Sequence, residues 1–231
     1  MLLRDEAHGP SVYLTRRSAR SRFMPDAYVF PGGAVDTADR DPAMLALVTG
    51  DAGATAPGVA GAALRELLEE AGILFARDDC GERAVFDADQ LAAMRAELAE
   101  NVPFARILTE RGLTLDAAPL IYYSNWITPA TEPIRFDAHF FLARAPENQL
   151  AAADSVEVHD GVWLAPGDAL ARADRGEMTI ILPTRKHLER LAALPTVDAL
   201  VAHARARRIV IVQPRESQPG EFTMNLANDA W

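Results

Sequence analysis

Arg65-Glu66-Leu67-Leu68-Glu69-Glu70-Ala71-Gly72-Ile73 is the stretch on which the reading of this chain turns. At about 100° per residue, Glu66, Glu69 and Glu70 fall within one arc of roughly 100°, while Ala60, Leu64, Leu67, Leu68 and Ala71 point the other way. The spacing predicts a helix over Val59 to Ala71, ended by Gly72 in a left-handed conformation. One face packs and the other is a carboxylate cluster. Like charges three and four residues apart repel, so a helix gains nothing structurally by collecting them. An acidic run of this kind is ordinarily a solvated face. A hard divalent cation is the alternative that offsets the repulsion, and oxygen-only ligands suit Mg²⁺ or Mn²⁺.

Working outward, Ala27 to Phe30 reads as a strand stopped by Pro31-Gly32-Gly33, a pair of glycines that permits unusual backbone angles and leaves carbonyls free to face an ion. Ser11 to Leu14 reads as an earlier strand, and Met1-Leu2-Leu3 as a clipped first one. Between the glycines and the acidic helix lies an Asp-, Ala- and Gly-rich segment, Val35 to Gly58, with one short helix expected around Pro42 to Val48. Downstream, helices are expected from an Asp87 or Asp89 cap and from near Asn101, with Pro103 in the first turn, to Gly112. Strands follow at Leu120 to Ile127, Phe136 to Ala143 and Val156 to Leu164. Helical patterns return over Pro166 to Ala173, Pro183 to Leu194 and Val197 to Arg207, before a short strand at Ile209 to Val212. This alternation implies an α/β fold, a sheet covered on both faces.

Composition narrows the function. The 231 residues are 49% hydrophobic, enough to bury a substantial core, and no apolar run approaches the roughly 20 residues that span a bilayer. The N-terminus turns acidic too soon for a signal peptide, so a cytoplasmic location is expected. Cys80 is the only cysteine, which excludes an intrachain disulfide and a Cys-based metal site; it is expected to be a partly buried structural thiol. The formal charge of −10 disfavours nucleic acid, whereas a small anionic substrate stays compatible because bound cations reverse the local field.

Arg65 through Ile73 matches the second half of the Nudix motif at every specified position, and Gly33 matches its start. The chain thus resembles the Nudix hydrolase family. From Gly33 the motif places its arginine at position 47; here it lies at 65, an insertion of 18 residues. The motif's first Glu has no unambiguous partner, although Asp39 occupies its spacing. Leu14-Thr15-Arg16-Arg17-Ser18, Phe23-Met24-Pro25, Phe30-Pro31-Gly32-Gly33, Trp126-Ile127-Thr128-Pro129 and Arg135-Phe136-Asp137-Ala138-His139-Phe140-Phe141 are similar to the RP2-type Nudix branch, which includes a peroxisomal coenzyme A diphosphatase.

The resemblance implies a Nudix α/β/α sandwich, a mixed sheet with helices on both faces and a C-terminal helical extension. It is read as one domain over 1–231, with the insertion at about 36–58 and the extension from about 166. It further implies metal-dependent hydrolysis of a diphosphate bond, with coenzyme A or acyl-coenzyme A as leading substrate, an ADP-ribose or NADH-type dinucleotide as the alternative, and a non-catalytic ligand-sensing module as the third reading. Glu66, Glu69 and Glu70 with the Gly33 region would hold Mg²⁺, Mn²⁺ being second choice, and Arg65 would orient a carboxylate. Glu157 is a weak general-base candidate, an exposed loop glutamate being at least as good a description. Arg16, Arg17, Arg20 and Arg22 concentrate positive charge ahead of the glycines. Arg16 and Arg17 are candidate phosphate contacts, and Trp126 and Arg135 further substrate contacts, set against solvated-loop and core alternatives. His139, Phe140 and Phe141 are expected to pack. The partner is a small-molecule nucleotide, with no nucleic acid or membrane and with a homodimer left open.

Overall fold

The structure is a computed structural model that describes residues 1–21, 24–53, 55–153, 158–218 and 221–223. In chain order the elements are β1 (Leu2–Glu6), β2 (Gly9–Arg17), β3 (Ala27–Val29), a 3-10 turn (Ala38–Arg40), α1 (Pro42–Leu45), β4 (Val48–Thr49), α2 (Val59–Ala71), β5 (Ala76–Arg77), α3 (Ala88–Ala99) and α4 (Phe104–Thr109). They continue with β6 (Thr114–Asp116), β7 (Ile121–Ile127), β8 (Asp137–Arg144), β9 (Val158–Leu164), α5 (Pro166–Asp174), β10 (Thr179–Ile180), α6 (Leu182–Leu191), α7 (Val197–Ala206), β11 (Ile211–Val212), β12 (Arg215–Gln218) and β13 (Glu221–Thr223).

The main sheet runs β10-β3-β2-β1-β8-β7-β11, with β9 paired to β2. It is mixed: β1 lies parallel to β8, while β2 is antiparallel to β1, β3 and β9. The strand expected to be clipped is therefore interior, with Leu2 and Leu3 at 1% and 0% exposure. Because strand side chains alternate, consecutive residues go to opposite faces. Leu2, Tyr13 and Phe141 join one core with α2, α3 and α4. Leu3, Val12, Leu14 and Leu142 join a second with α5, α6 and α7. This is the mixed sheet with helices on both faces that the sequence predicts. The helices after residue 166, expected as an extension, supply its whole second layer.

Side-chain caps start three of the helices. Asp87 and Gln90 form a reciprocal capping box at α3, Thr196 accepts from Ala199 N–H at α7, and Asp41 caps α1 with Pro42 following. The inserted segment leans on the domain: Met44 of α1 is 2% exposed in the first core, and Val48 and Thr49 pair with Leu115 and Asp116 in a small sheet, β4-β6-β5. Cys80 is exposed, contrary to expectation, because it sits in a turn organised by Asp78, whose carboxylate accepts from Cys80 N–H and Glu82 N–H. Among the described residues no helix is long and apolar enough to cross a membrane.

Candidate functional site

Helix α2 runs over the predicted span, opened by Gly58 and closed by Gly72, both left-handed at φ 87° and 64°. Leu64, Leu68 and Ala71 are fully buried on its core face. The opposite face departs from a solvated stripe: Glu66 and Glu70 are only 9% and 8% exposed, and the Glu69 side chain is 30% exposed. Buried carboxylates need compensating partners, and the Gly32 N–H and Arg65 supply them here.

The strand end crosses over the helix. Gly32 N–H donates to Glu70 Oε2 at 2.9 Å. Gly33 lies so close to Glu66 that a Cβ there would stand 2.5 Å from its carboxylate atoms and push that carboxylate aside, so the glycine acts here through space rather than through its backbone angles. Arg65 is the hub. Its Nη1 donates to Glu66 Oε1 at 2.9 Å and Glu69 Oε2 at 2.7 Å, its Nη2 to the Ala34 carbonyl at 3.0 Å, and its Nε and Nη2 to Asp39. Asp36 lies 3.7 Å from Nη2. Burial opposes the Arg65 charge, but the hydrogen bond to Asp39 and the fields of Glu66, Glu69 and Asp39 outweigh it and raise the guanidinium pKa above its ordinary value.

Four carboxylates, Asp36, Asp39, Glu66 and Glu69, thus share one guanidinium, leaving three negative charges before Glu70 is added. An oxygen-only donor set with that surplus suits a hard divalent cation. Among the described residues no three His, Cys, Asp or Glu side chains converge as a ready-made metal cluster, and Nη1 of Arg65 takes both Glu66 and Glu69. A cation would take up carboxylate oxygens that now face that nitrogen.

The structure brings Gly33, Arg65, Glu66, Glu69 and Glu70 together, and adds Asp36 and Asp39, of which the sequence flagged Asp39 only by spacing. The other expected contacts are engaged elsewhere. Arg16 pairs with Asp26 at 2.8 Å and lies 3.7 Å from Asp160, and Arg17 donates to the Ser21 hydroxyl at 2.8 Å. Arg22, Phe23 and Glu157 fall outside the described residues. Arg135 is exposed and donates to the Thr128 carbonyl. Trp126 is 3% exposed, packed with Val212, Ala138, Phe140 and Leu182, so its ring offers no open face for a base. His139 hydrogen-bonds Tyr122 through Nδ1 at 2.7 Å and Phe141 is core, as expected.

Comparison with known proteins agrees with this geometry. The family model described as the NUDT19 Nudix domain matches residues 59–191, more than half of the chain. A putative nudix hydrolase 7 of Caenorhabditis elegans is 26% identical over 88% of this chain and 63% of its own length. Proteins named acyl-coenzyme A diphosphatase NUDT19 are similar in Gallus gallus, 28% identical over 83% of this chain, and in Homo sapiens, 26% over 84%; in each the match covers 64% of that protein. The chain therefore spans just under two thirds of these relatives' length. The crystal structure of a NUDIX hydrolase from Alicyclobacillus acidocaldarius superposes with a TM-score of 0.78 at 30% identity, covering 87% of this chain and 92% of that one. By its motif, its fold and these matches, the chain belongs to the Nudix hydrolase family, whose members generally use divalent metals.

Proposed function

We propose that this chain is a Mg²⁺-dependent diphosphatase, with Mn²⁺ as a substitute ion, acting on coenzyme A or acyl-coenzyme A. The observation that carries the proposal is the meeting of Glu66, Glu69 and Glu70 with Arg65 under the Gly32–Gly33 strand end. The substrate class draws support from the relatives named acyl-coenzyme A diphosphatase.

Glu69 and Glu70, with Glu66 next, would hold the cation, which when bound neutralises the bridging phosphates and clamps an in-line attack on phosphorus. Gly32 N–H fixes one Glu70 oxygen and so sets the direction of its carboxylate. Arg65 orients Glu66 and Glu69, and Asp39 keeps it from following them into the site. Water attacks phosphorus, the P–O bond of the diphosphate bridge breaks, and a base takes the proton; Glu157 is the residue proposed for that last role. The products are a phosphopantetheine species and adenosine 3′,5′-bisphosphate. Arg16 and Arg17 are the proposed contacts for the 3′-phosphate, exchanging Asp26 and Ser21 for it.

Incubation with Mg²⁺ and coenzyme A, dephospho-coenzyme A, ADP-ribose or NADH, followed by mass analysis of the products, tests the proposal. Coenzyme A is expected to turn over fastest. Preference for ADP-ribose or NADH would overturn the substrate, and failure to hydrolyse any of the four would overturn the activity.

A further inference from the structure

The last turn of α2 is gripped from outside the carboxylate cluster. A helix leaves its final four carbonyls without partners of its own. Here Gly72 N–H returns to the Leu68 carbonyl at 2.9 Å, and Ala152 N–H donates to the Ala71 carbonyl at 2.9 Å. The Glu69 carbonyl goes to a side chain from the neighbouring helix: Arg95 of α3 donates to it through Nε at 3.1 Å and Nη2 at 2.8 Å. The third nitrogen, Nη1, donates to the Ala152 carbonyl at 3.2 Å. One guanidinium therefore joins the Glu69 peptide to the segment after β8, which Gln149 also ties to Leu74 by two bonds of 2.9 Å. A cation at a helix C-terminus is further favoured by the helix dipole. Glu69 is consequently held at both ends, its carboxylate by Arg65 and its carbonyl by Arg95.

We propose that Arg95 is a positioning residue for the metal-binding carboxylates, fixing the turn that carries Glu69 and Glu70 and coupling it to Ala152. The proposal rests on the reading of that cluster as a divalent-cation site. It requires arginine in particular, because a rigid fork reaches two carbonyls at once whereas a lysine offers a single point charge.

Electron paramagnetic resonance of free Mn²⁺ reads metal binding by the full chain without substrate. Arg95→Ala should weaken Mn²⁺ binding by about tenfold, the lower end of the loss seen when groups that orient metal ligands are removed. Arg95→Lys should lose less. Arg111→Ala, which removes a tie between the end of α4 and Glu97 of α3, should lower thermal stability while leaving Mn²⁺ affinity unchanged. In turnover, Arg95→Ala should shift the metal requirement and kcat, with the KM for coenzyme A at saturating metal preserved. An Arg95→Ala chain that melts earlier yet binds Mn²⁺ as tightly as wild type would overturn the positioning role and leave the metal site standing. A wild-type chain that binds no Mn²⁺ would overturn the metal site itself and the role of Arg95 with it. Should Arg95→Ala fail to fold, Arg95→Lys gives the same reading: wild-type affinity in that variant overturns the proposal.

Discussion

Asp39 takes the guanidinium of Arg65 along its edge, accepting from Nε at 3.1 Å and from Nη2 at 2.9 Å. The two side chains are 2% and 10% exposed, so the pair is buried. Asp39 lies in the 3-10 turn at the start of the inserted segment, so the segment that interrupts the motif also supplies the anchor of the motif's arginine. Glu66 and Glu69 stay on the guanidinium when Asp39 is neutralised, so what is lost is one charge-assisted hydrogen bond. Asp39→Asn should therefore lose about 2 kcal/mol, read as a melting temperature lower by roughly 4–8 °C. An unchanged melting temperature would show that Arg65 does not depend on this partner.

The far end of the insertion meets its beginning. A Cβ at Gly58 would stand 2.8 Å from the Asp39 carbonyl oxygen, and Gly58 adopts φ +87°. Closing a longer loop costs little when its ends stay together, which is why α2 survives the interruption. Gly58→Ala should destabilise by roughly 2 kcal/mol, combining backbone strain and crowding. Gly81→Ala, at φ +78° in open space, isolates the backbone part and should cost less. Urea unfolding of both compares them, and equal losses would contradict the contact between the two ends.

Much of this was legible beforehand and some was not, for physical reasons. Helix α2 was readable to the residue because its apolar positions recur with helical period and Gly72 closes it. The burial of Glu66 and Glu70 was not, because it comes from Gly32 and Gly33, more than 30 residues upstream, folding over them. Strands β4, β5 and β6 are two or three residues long and carry no periodicity to read. Arg95 gave no signal, since an arginine on a helix with only Leu91 and Met94 buried resembles any solvated one. Trp126 and Arg135 stood together in the sequence, yet adjacent stretches of a strand and its loop went to core and solvent.

His187 ties α6 to the sheet. Its Nδ1 lies 2.6 Å from the Pro183 carbonyl, which can only accept, so Nδ1 carries the proton and Nε2 accepts from the Ser124 hydroxyl at 2.7 Å. Burial pushes its pKa from 6.5 down to about 3, so it stays neutral in the fold. The unfolded chain takes up this proton first as the pH falls. The contribution of His187 to stability is thus complete above pH 6.5 and is lost progressively toward pH 3, at up to about 1.4 kcal/mol per pH unit. Urea unfolding between about pH 7 and 5 should show a shallower pH dependence in His187→Gln than in wild type. Parallel dependences would mean that the imidazole titrates in the fold as it does in the unfolded chain.

For the arginine pair, the double change Arg16→Ala and Arg17→Ala should raise KM for coenzyme A much more than for its dephospho form. Arg16 is half-exposed, and its ion pair with Asp26 can open at little cost. Equal losses for the two substrates would assign both arginines to holding their own loop.

Turnover of coenzyme A by wild type and Glu70→Gln, with Mg²⁺ and with excess EDTA, bears most directly on the carboxylate helix as a metal-dependent catalytic centre. Glutamine keeps the volume and an oxygen for the Gly32 N–H, so the variant should melt near wild type. Wild type should release adenosine 3′,5′-bisphosphate only with the metal, and Glu70→Gln should be slower by orders of magnitude. Full activity in EDTA, or near-normal turnover by Glu70→Gln, would contradict it.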